Sequence, residues 1–237
     1  MSRFLFLLVF LFPAFLPSLA WGFRLDPVVT EIPITIPKAT TAYTVENNTK
    51  NKVAVQFEVR RRLVDVNGAE ERPEATGFVV YPEQMALEPG EKRNVRVSWL
   101  AESMPTQELA YRFVASQLPV DFSNQKGAAS VNLKFLIEYV ASLYLVPPKV
   151  KPKMKVVSQK VKGAVLEILV ANEGSAHQLL ERMEISLQVG KKTTKVSNEV
   201  MLPLRTENVL AGGQRLLKLT LPAGADASSV AIVNFNP

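Results

Sequence analysis

Residues 131–145 read VNLKFLIEYVASLYL, and this stretch decides how the fold is interpreted. Every odd-numbered residue in it is apolar, whereas even-numbered residues such as Lys134 and Glu138 are charged. A period of two predicts a β-strand with one apolar face. Because a polar run (121–130) precedes it and Pro147-Pro148 ends it, we expect a long strand at the edge of a sheet. An edge strand with large apolar side chains aggregates unless something covers it.

Shorter alternating runs fill much of the remaining sequence. Val53 to Val59 and Val95 to Trp99 alternate in the same way, and Asn67-Gly68 is a hairpin signal. Short strands with turns about every ten residues are typical of antiparallel β-sandwiches. No amphipathic helix is predicted.

Prolines divide the chain. Three of them fall within 147–152, where they exclude a central strand and stiffen the segment. We therefore expect one sandwich domain over 23–146, a linker over 147–153 and a second, smaller sandwich domain over 154–237. The expected fold class is all-β.

The first 22 residues predict an N-terminal signal peptide. Arg3 precedes an apolar run that ends in the small residues Ser18 to Ala20. We expect cleavage after Gly22, with cleavage after Ala20 left open. An uncleaved anchor is the alternative, but the apolar run is short and is broken by Pro13. The chain has no cysteine, so its domains must be held together by core burial.

Charge and side-chain chemistry argue against several functional classes. The net charge of +6 is dispersed, so nucleic-acid binding is not expected, and the basic run Arg60-Arg61-Arg62 is interpreted as solvated surface. The single histidine, His177, has no accompanying catalytic set, and Glu70-Glu71 are expected to face water. We expect no enzymatic activity, no metal and no cofactor.

Several motifs, taken in order, resemble the periplasmic pilus-assembly chaperones of the PapD type. Each motif alone has low specificity, but their order and spacing together are fairly specific. The resemblance covers nearly the whole chain after the signal peptide. The motifs are Phe23-Arg24-Leu25-Asp26-Pro27, Tyr81-Pro82, Leu87-Glu88-Pro89-Gly90, Tyr111-Arg112-Phe113, Leu118-Pro119, and the strand from Val131 with its exit at Pro147.

The resemblance implies two immunoglobulin-like domains joined by the Pro-rich linker, and a periplasmic location. It also implies donor-strand complementation, in which the chaperone lends an edge strand to a pilus or fimbrial subunit that lacks one. The strand residues assigned to the subunit are Val131, Leu133, Phe135 and Ile137. Those assigned to the chain's own core and to packing between the domains are Tyr139, Ala141, Leu143 and Leu145.

The resemblance further implies a basic anchor for the subunit's terminal carboxylate. Family members use an Arg and a Lys, but the aligned positions here are Val29 and Ser142. A divergent branch carries an Arg on the aromatic strand instead, so Arg112 is the candidate anchor and Arg24 a weaker one. The alternative for Arg112 is an ordinary surface arginine.

The implied function is a chaperone that caps pilus subunits and delivers them to an outer-membrane usher. Since no nucleotide motif is present, release would come from exchange with the next subunit's strand. The alternative is an envelope structural or adhesion protein with the same domains and no client. The sequence leaves open which subunits are bound and whether the free protein caps itself as a dimer. No membrane insertion is expected after signal cleavage.

Overall fold

The computed structural model describes residues 22–120, 136–221 and 229–235, so the predicted signal peptide lies outside them except for Gly22. Strands form most of the regular structure, which confirms the predicted all-β class. In chain order they are β1 (Phe23–Asp26), β2 (Val29–Pro33), β3 (Lys38–Asn47), β4 (Val53–Arg61), β5 (Leu63–Val64), β6 (Glu70–Glu71), β7 (Phe78–Tyr81), β8 (Gln84–Leu87), β9 (Lys92–Leu100), β10 (Leu109–Gln117), β11 (Glu138–Val146), β12 (Met154–Lys162), β13 (Val165–Asn172), β14 (Gln178–Leu179), β15 (Glu184–Val189), β16 (Lys192–Lys195), β17 (Asn208–Val209), β18 (Gln214–Thr220) and β19 (Val230–Asn234).

Two sheets face each other in the first sandwich. Their strand orders are β1-β3-β9-β7 and β2-β11-β10-β4-β8. Alternating apolar residues from both sheets meet between them, as the period-two pattern predicts. At the centre, Tyr43 of β3 stacks on Phe113 of β10 with their ring centroids 4.1 Å apart.

The second part of the alternating stretch 131–145 forms β11, which is only partly an edge strand. β11 pairs antiparallel with β10 from Glu138 to Leu145, and β2 pairs parallel with it from Ser142 to Val146. The predicted edge is therefore wrong for that second half, because the chain changes sheets between β1 and β2. Among the described residues, β10 is the one strand that pairs with Glu138–Ala141.

The apolar face of β11 points into the first sandwich. Ala141, Leu143 and Leu145 are buried in its core, and Tyr139 packs against them. The opposite face carries Ser142 and Tyr144, which are also buried. That second face lies toward the side chains of Arg62 and Arg112 and toward Asn208 in the second half of the chain.

The second half forms its own hydrophobic core from the sheets β12-β13-β18 and β16-β15-β19 and the small pair β14-β17. It also contains a helix that the sequence did not predict, α1 (Asn198–Arg205), which buries Met201 and Leu204. With about two turns the helix is too short to show a periodic pattern, and it contains Pro203, a residue that normally argues against a helix.

The Pro-rich connection docks on the second sandwich. Residues 147–153 form no helix or strand, but Glu173 N–H donates to Lys153 O and Ser175 N–H to Lys151 O, both at 2.8 Å. Gly174 lies so close to this backbone that a Cβ there would collide with it.

Two features are absent from the described part of the chain. It contains no helix that is long and apolar enough to cross a membrane. Nor do three or more His, Asp or Glu side chains in those residues come together as metal ligands would.

Candidate functional site

Val29 and Ser142, the two positions that the resemblance aligns with the carboxylate-binding Arg and Lys, lie next to each other in the sheet. Ser142 of β11 lies opposite Val29 of β2 on one side and opposite Arg112 of β10 on the other. The three residues thus form one row across the sheet, on the face opposite the core. Neither Val29 nor Ser142 carries a charge, and the row places a guanidinium one strand away from Ser142 and two strands away from Val29.

Arg112 already binds a carboxylate of this chain. Its Nε donates to Glu70 Oε1 at 2.9 Å and its Nη2 donates to Glu70 Oε2 at 2.6 Å, so the pair is bidentate. Its Nη1 donates to Ser142 Oγ at 2.6 Å. The Arg112 side chain is 15% exposed, which differs from an ordinary solvated surface arginine.

Two further arginines bind the same carboxylate. Arg62 Nε donates to Glu70 Oε2 at 2.9 Å, and Arg72 Nε donates to Glu70 Oε1 at 2.8 Å. We call Arg62, Arg72 and Arg112 the arginine cluster. The predictions that Arg62 and Glu70 face water are wrong, since their side chains are 11% and 16% exposed. The reason is that the β5–β6 hairpin places Glu70 over the outer face of the sheet.

The hairpin itself was predictable, because it turns at the predicted Asn67-Gly68 signal. Asp65 Oδ1 accepts hydrogen bonds from Asn67 N–H and Ala69 N–H, and Gly68 has the positive φ of 95° that glycine tolerates. No local pattern indicates which sheet face the hairpin covers. The arginine cluster therefore had no signal in the sequence beyond the charges themselves.

The cluster keeps Glu70 ionised. Burial alone would raise the pKa of this carboxyl, but hydrogen bonds from Arg112 and Arg72 and the charges of Arg112 and Arg62 lower the pKa to about 2. The carboxylate therefore stays charged throughout the neutral and mildly acidic range.

The other predicted site residues lie elsewhere. Arg24 is on β1 in the opposite sheet, where its side chain is 64% exposed and 4.0 Å from Asp26. Ile137 is half-buried against the first core, and its carbonyl accepts a hydrogen bond from Gln117 N–H at 2.9 Å. The remaining predicted subunit-binding residues are outside the described part of the chain: Val131, Leu133 and Phe135.

A comparison with known families decides the identity of the chain. The sequence profile described as "Pili and flagellar-assembly chaperone, PapD N-terminal domain" matches residues 25–151, more than half of the chain. The chain belongs to this family of pilus-assembly chaperones. The predicted family is therefore confirmed.

Solved chaperone structures share the two-domain fold. The class 5 fimbriae chaperone CfaA is 13% identical, with 90% of this chain and 98% of that chain covered and a TM-score of 0.58. The CsuC–CsuE chaperone–tip adhesion subunit complex of Acinetobacter baumannii is 16% identical, with 82% of this chain and 89% of that chain covered and a TM-score of 0.56. The Salmonella enterica SafA pilin–SafB chaperone complex is 18% identical, with 86% of each chain covered and a TM-score of 0.55. At these identities the likeness establishes the fold alone. Among curated proteins, no sequence matches the chain significantly.

In this chaperone, the outer face of β11 also joins the two sandwiches. The Tyr144 ring stacks on His177 with centroids 4.3 Å apart, and His177 Nδ1 lies 2.7 Å from Glu108 Oε1. The Tyr144 hydroxyl accepts hydrogen bonds from Arg62 Nη1 at 2.7 Å and from Asn208 Nδ2 at 2.9 Å. Tyr144 therefore contacts both the arginine cluster and the second sandwich.

Proposed function

We propose that this chaperone acts in the periplasm without enzymatic activity, where it caps pilus or fimbrial subunits by donor-strand complementation. The observation that carries the proposal is that β11 has a paired strand on both sides over only its second half, in a chain that belongs to this family. β2 pairs with Ser142–Val146 and stops there, and among the described residues Glu138–Ala141 pair with β10 alone. A subunit strand can add to that open side.

The residues before β11 supply the side chains for the subunit. Val131, Leu133 and Phe135 continue the odd-numbered apolar series of Tyr139 and Ala141. Ile137, the fourth residue of the predicted set, is half-buried against the chaperone's own core, so the donated set proposed here is the other three residues. Burying three such side chains contributes about 5–9 kcal/mol before ordering and rigid-body costs, which suits a stable but exchangeable complex.

Arg112 is the proposed contact for the subunit's terminal carboxylate. It lies in the same row as the two aligned anchor positions, and a guanidinium binds a carboxylate through two parallel hydrogen bonds. The chaperone then delivers the subunit to an outer-membrane usher. Exchange with the next subunit's strand releases it.

Substitution in the donated series tests this function. We expect Phe135→Glu to fold normally but to lose at least about 90% of the co-purified subunit, because a charge replaces a side chain that would be buried in the client. The measurement is purification of the tagged chaperone from periplasm, with mass spectrometry of the proteins that accompany it.

The matched control is Asn132→Glu, which adds the same charge at an even-numbered position of the same segment. It should retain the subunit. Equal retention by Phe135→Glu and wild type would show that this series does not bind the client. Absence of any immunoglobulin-like subunit from the wild-type preparation would favour the envelope structural or adhesion role instead.

A further inference from the structure

Glu70 is bound as a ligand carboxylate would be. Its two oxygens accept hydrogen bonds at 2.6–2.9 Å from the three members of the arginine cluster. Arg112 binds it with two hydrogen bonds, and Arg62 and Arg72 each donate one more. A terminal carboxylate presents the same two oxygens in the same plane, so it can form the same set of hydrogen bonds.

The charges of the cluster are not balanced by Glu70. Three guanidinium groups share this one carboxylate, and within the described part of the chain the next acidic contact is between Arg72 and Glu138 at 3.6 Å. Arg62 and Arg112 are the more buried arginines, with side chains 11% and 15% exposed. A positive excess at half-buried guanidiniums favours a further or replacement anion.

Glu70 is also held less firmly by the backbone than Arg112. Arg112 is in the middle of β10, which pairs with strands on both sides, whereas Glu70 is in a two-residue strand that pairs only with β5 among the described residues. Rotation of the Glu70 side chain would vacate the cluster and leave β10 unchanged.

We infer that Glu70 is an internal substitute for the client's carboxylate, occupying the arginine cluster in the free chaperone and leaving it when a subunit binds. Arg62 is then a second arm of the anchor beside Arg112. This inference rests on the proposed function for the identity of the ligand. The affinity for a subunit then depends on how much more strongly the arginine cluster binds the subunit's carboxylate than it binds Glu70.

Acetate is the probe for the site, with Glu70→Gln as the test variant and Glu71→Gln as the control. Glutamine keeps the size and one acceptor oxygen of Glu70 but removes its charge. The nuclear magnetic resonance signals of the arginine Nε–H groups are followed while acetate is added at constant ionic strength. Acetamide serves as the neutral counterpart.

We expect acetate to shift the signals of Arg62 and Arg112 in Glu70→Gln at about a tenfold lower concentration than in wild type or Glu71→Gln. Acetamide should shift none of them. Equal responses in all three proteins, or no response to acetate in Glu70→Gln, would overturn the inference. If Glu70→Gln loses its folded spectrum, Glu70→Asp, which withdraws the carboxylate by one methylene, is titrated with the same two outcomes.

A second arm separates this inference from the proposed function. A subunit that co-purifies with wild type should bind Glu70→Gln about tenfold more tightly. If the acetate result holds and wild type retains no subunit, the carboxylate site stands and the proposed function is wrong. If a subunit is retained with equal affinity by both proteins, the substitute role of Glu70 is wrong and the proposed function stands.

Discussion

At the scale of single residues, the strongest electrostatic feature is a carboxylate surrounded by guanidiniums. Folding moves the pKa of Glu70 from its ordinary 4.5 to about 2. A group whose pKa is depressed in the folded state stabilises that state above its unfolded pKa. This stabilisation is lost as the pH falls from 4.5 toward 2, because over this range the carboxyl takes up a proton in the unfolded chain while the folded protein still holds it ionised.

Acid denaturation should therefore depend on Glu70. We expect Glu70→Gln to lower the free energy of unfolding relative to wild type, and this loss should be about 1–3 kcal/mol larger at pH 7 than at pH 2. The range allows for solvent screening. Urea denaturation at both pH values measures this. Glu71→Gln should show no such change, and a difference between wild type and Glu70→Gln that does not vary with pH would contradict the expectation.

At the scale of elements, two buried asparagines each end a central strand, one in each sandwich. Asn47 closes β3, where its side chain donates to Asn51 O and Leu87 O and accepts from Thr49 N–H. Asn172 closes β13 and donates to Ala176 O and Val209 O while it accepts from Lys153 N–H. Each asparagine satisfies backbone groups of the loop that follows its strand.

Removing such a side chain should be costly. We expect Asn47→Ala to lower the free energy of unfolding by about 2–4 kcal/mol, since it leaves buried carbonyl and amide groups without partners. The neighbouring Asn48 is exposed, so Asn48→Ala should change it by less than about 0.5 kcal/mol. Thermal or urea unfolding compares the two variants, and similar losses would refute the special role of Asn47.

The elements also show what the sequence could predict. The odd-numbered residues of β11 were expected in the core, and Ala141, Leu143 and Leu145 are there because strand alternation is a local property. The pairing of β2 with β11 was not expected, since it joins residues more than a hundred positions apart. The same limit applies to Glu70 and Arg112, whose contact depends on how a hairpin packs on a sheet.

At the scale of the whole molecule, a small polar interface connects the sandwiches. His177 lies between Tyr144 and Glu108, and the Glu108 side chain is only 3% exposed. At a second point, Leu216 N–H of β18 donates to Val66 O in the turn of the β5–β6 hairpin at 2.7 Å. The hairpin that carries Glu70 therefore also contacts the second sandwich.

The orientation of the sandwiches should depend on His177. We expect His177→Ala to leave both sandwiches folded but to broaden the distribution of distances between them, because the ring contact with Tyr144 and the contact between Nδ1 and Glu108 are both lost. Small-angle X-ray scattering measures this. Tyr144→Phe keeps the stacked ring and loses only a hydroxyl, so it should have a smaller effect. A scattering profile of His177→Ala identical to that of wild type would rule out this role.

The backbone contacts made by the Pro-rich connection have a practical consequence for building hybrid chaperones. Because Lys151 and Lys153 are hydrogen-bonded to the loop around Gly174, the connection belongs with the second sandwich. A chimera that joins this protein's first sandwich to another chaperone's second sandwich should thus cross over at Val146. A crossover after Lys153 would pair this connection with a foreign loop, and any residue larger than glycine at the position of Gly174 would push it away.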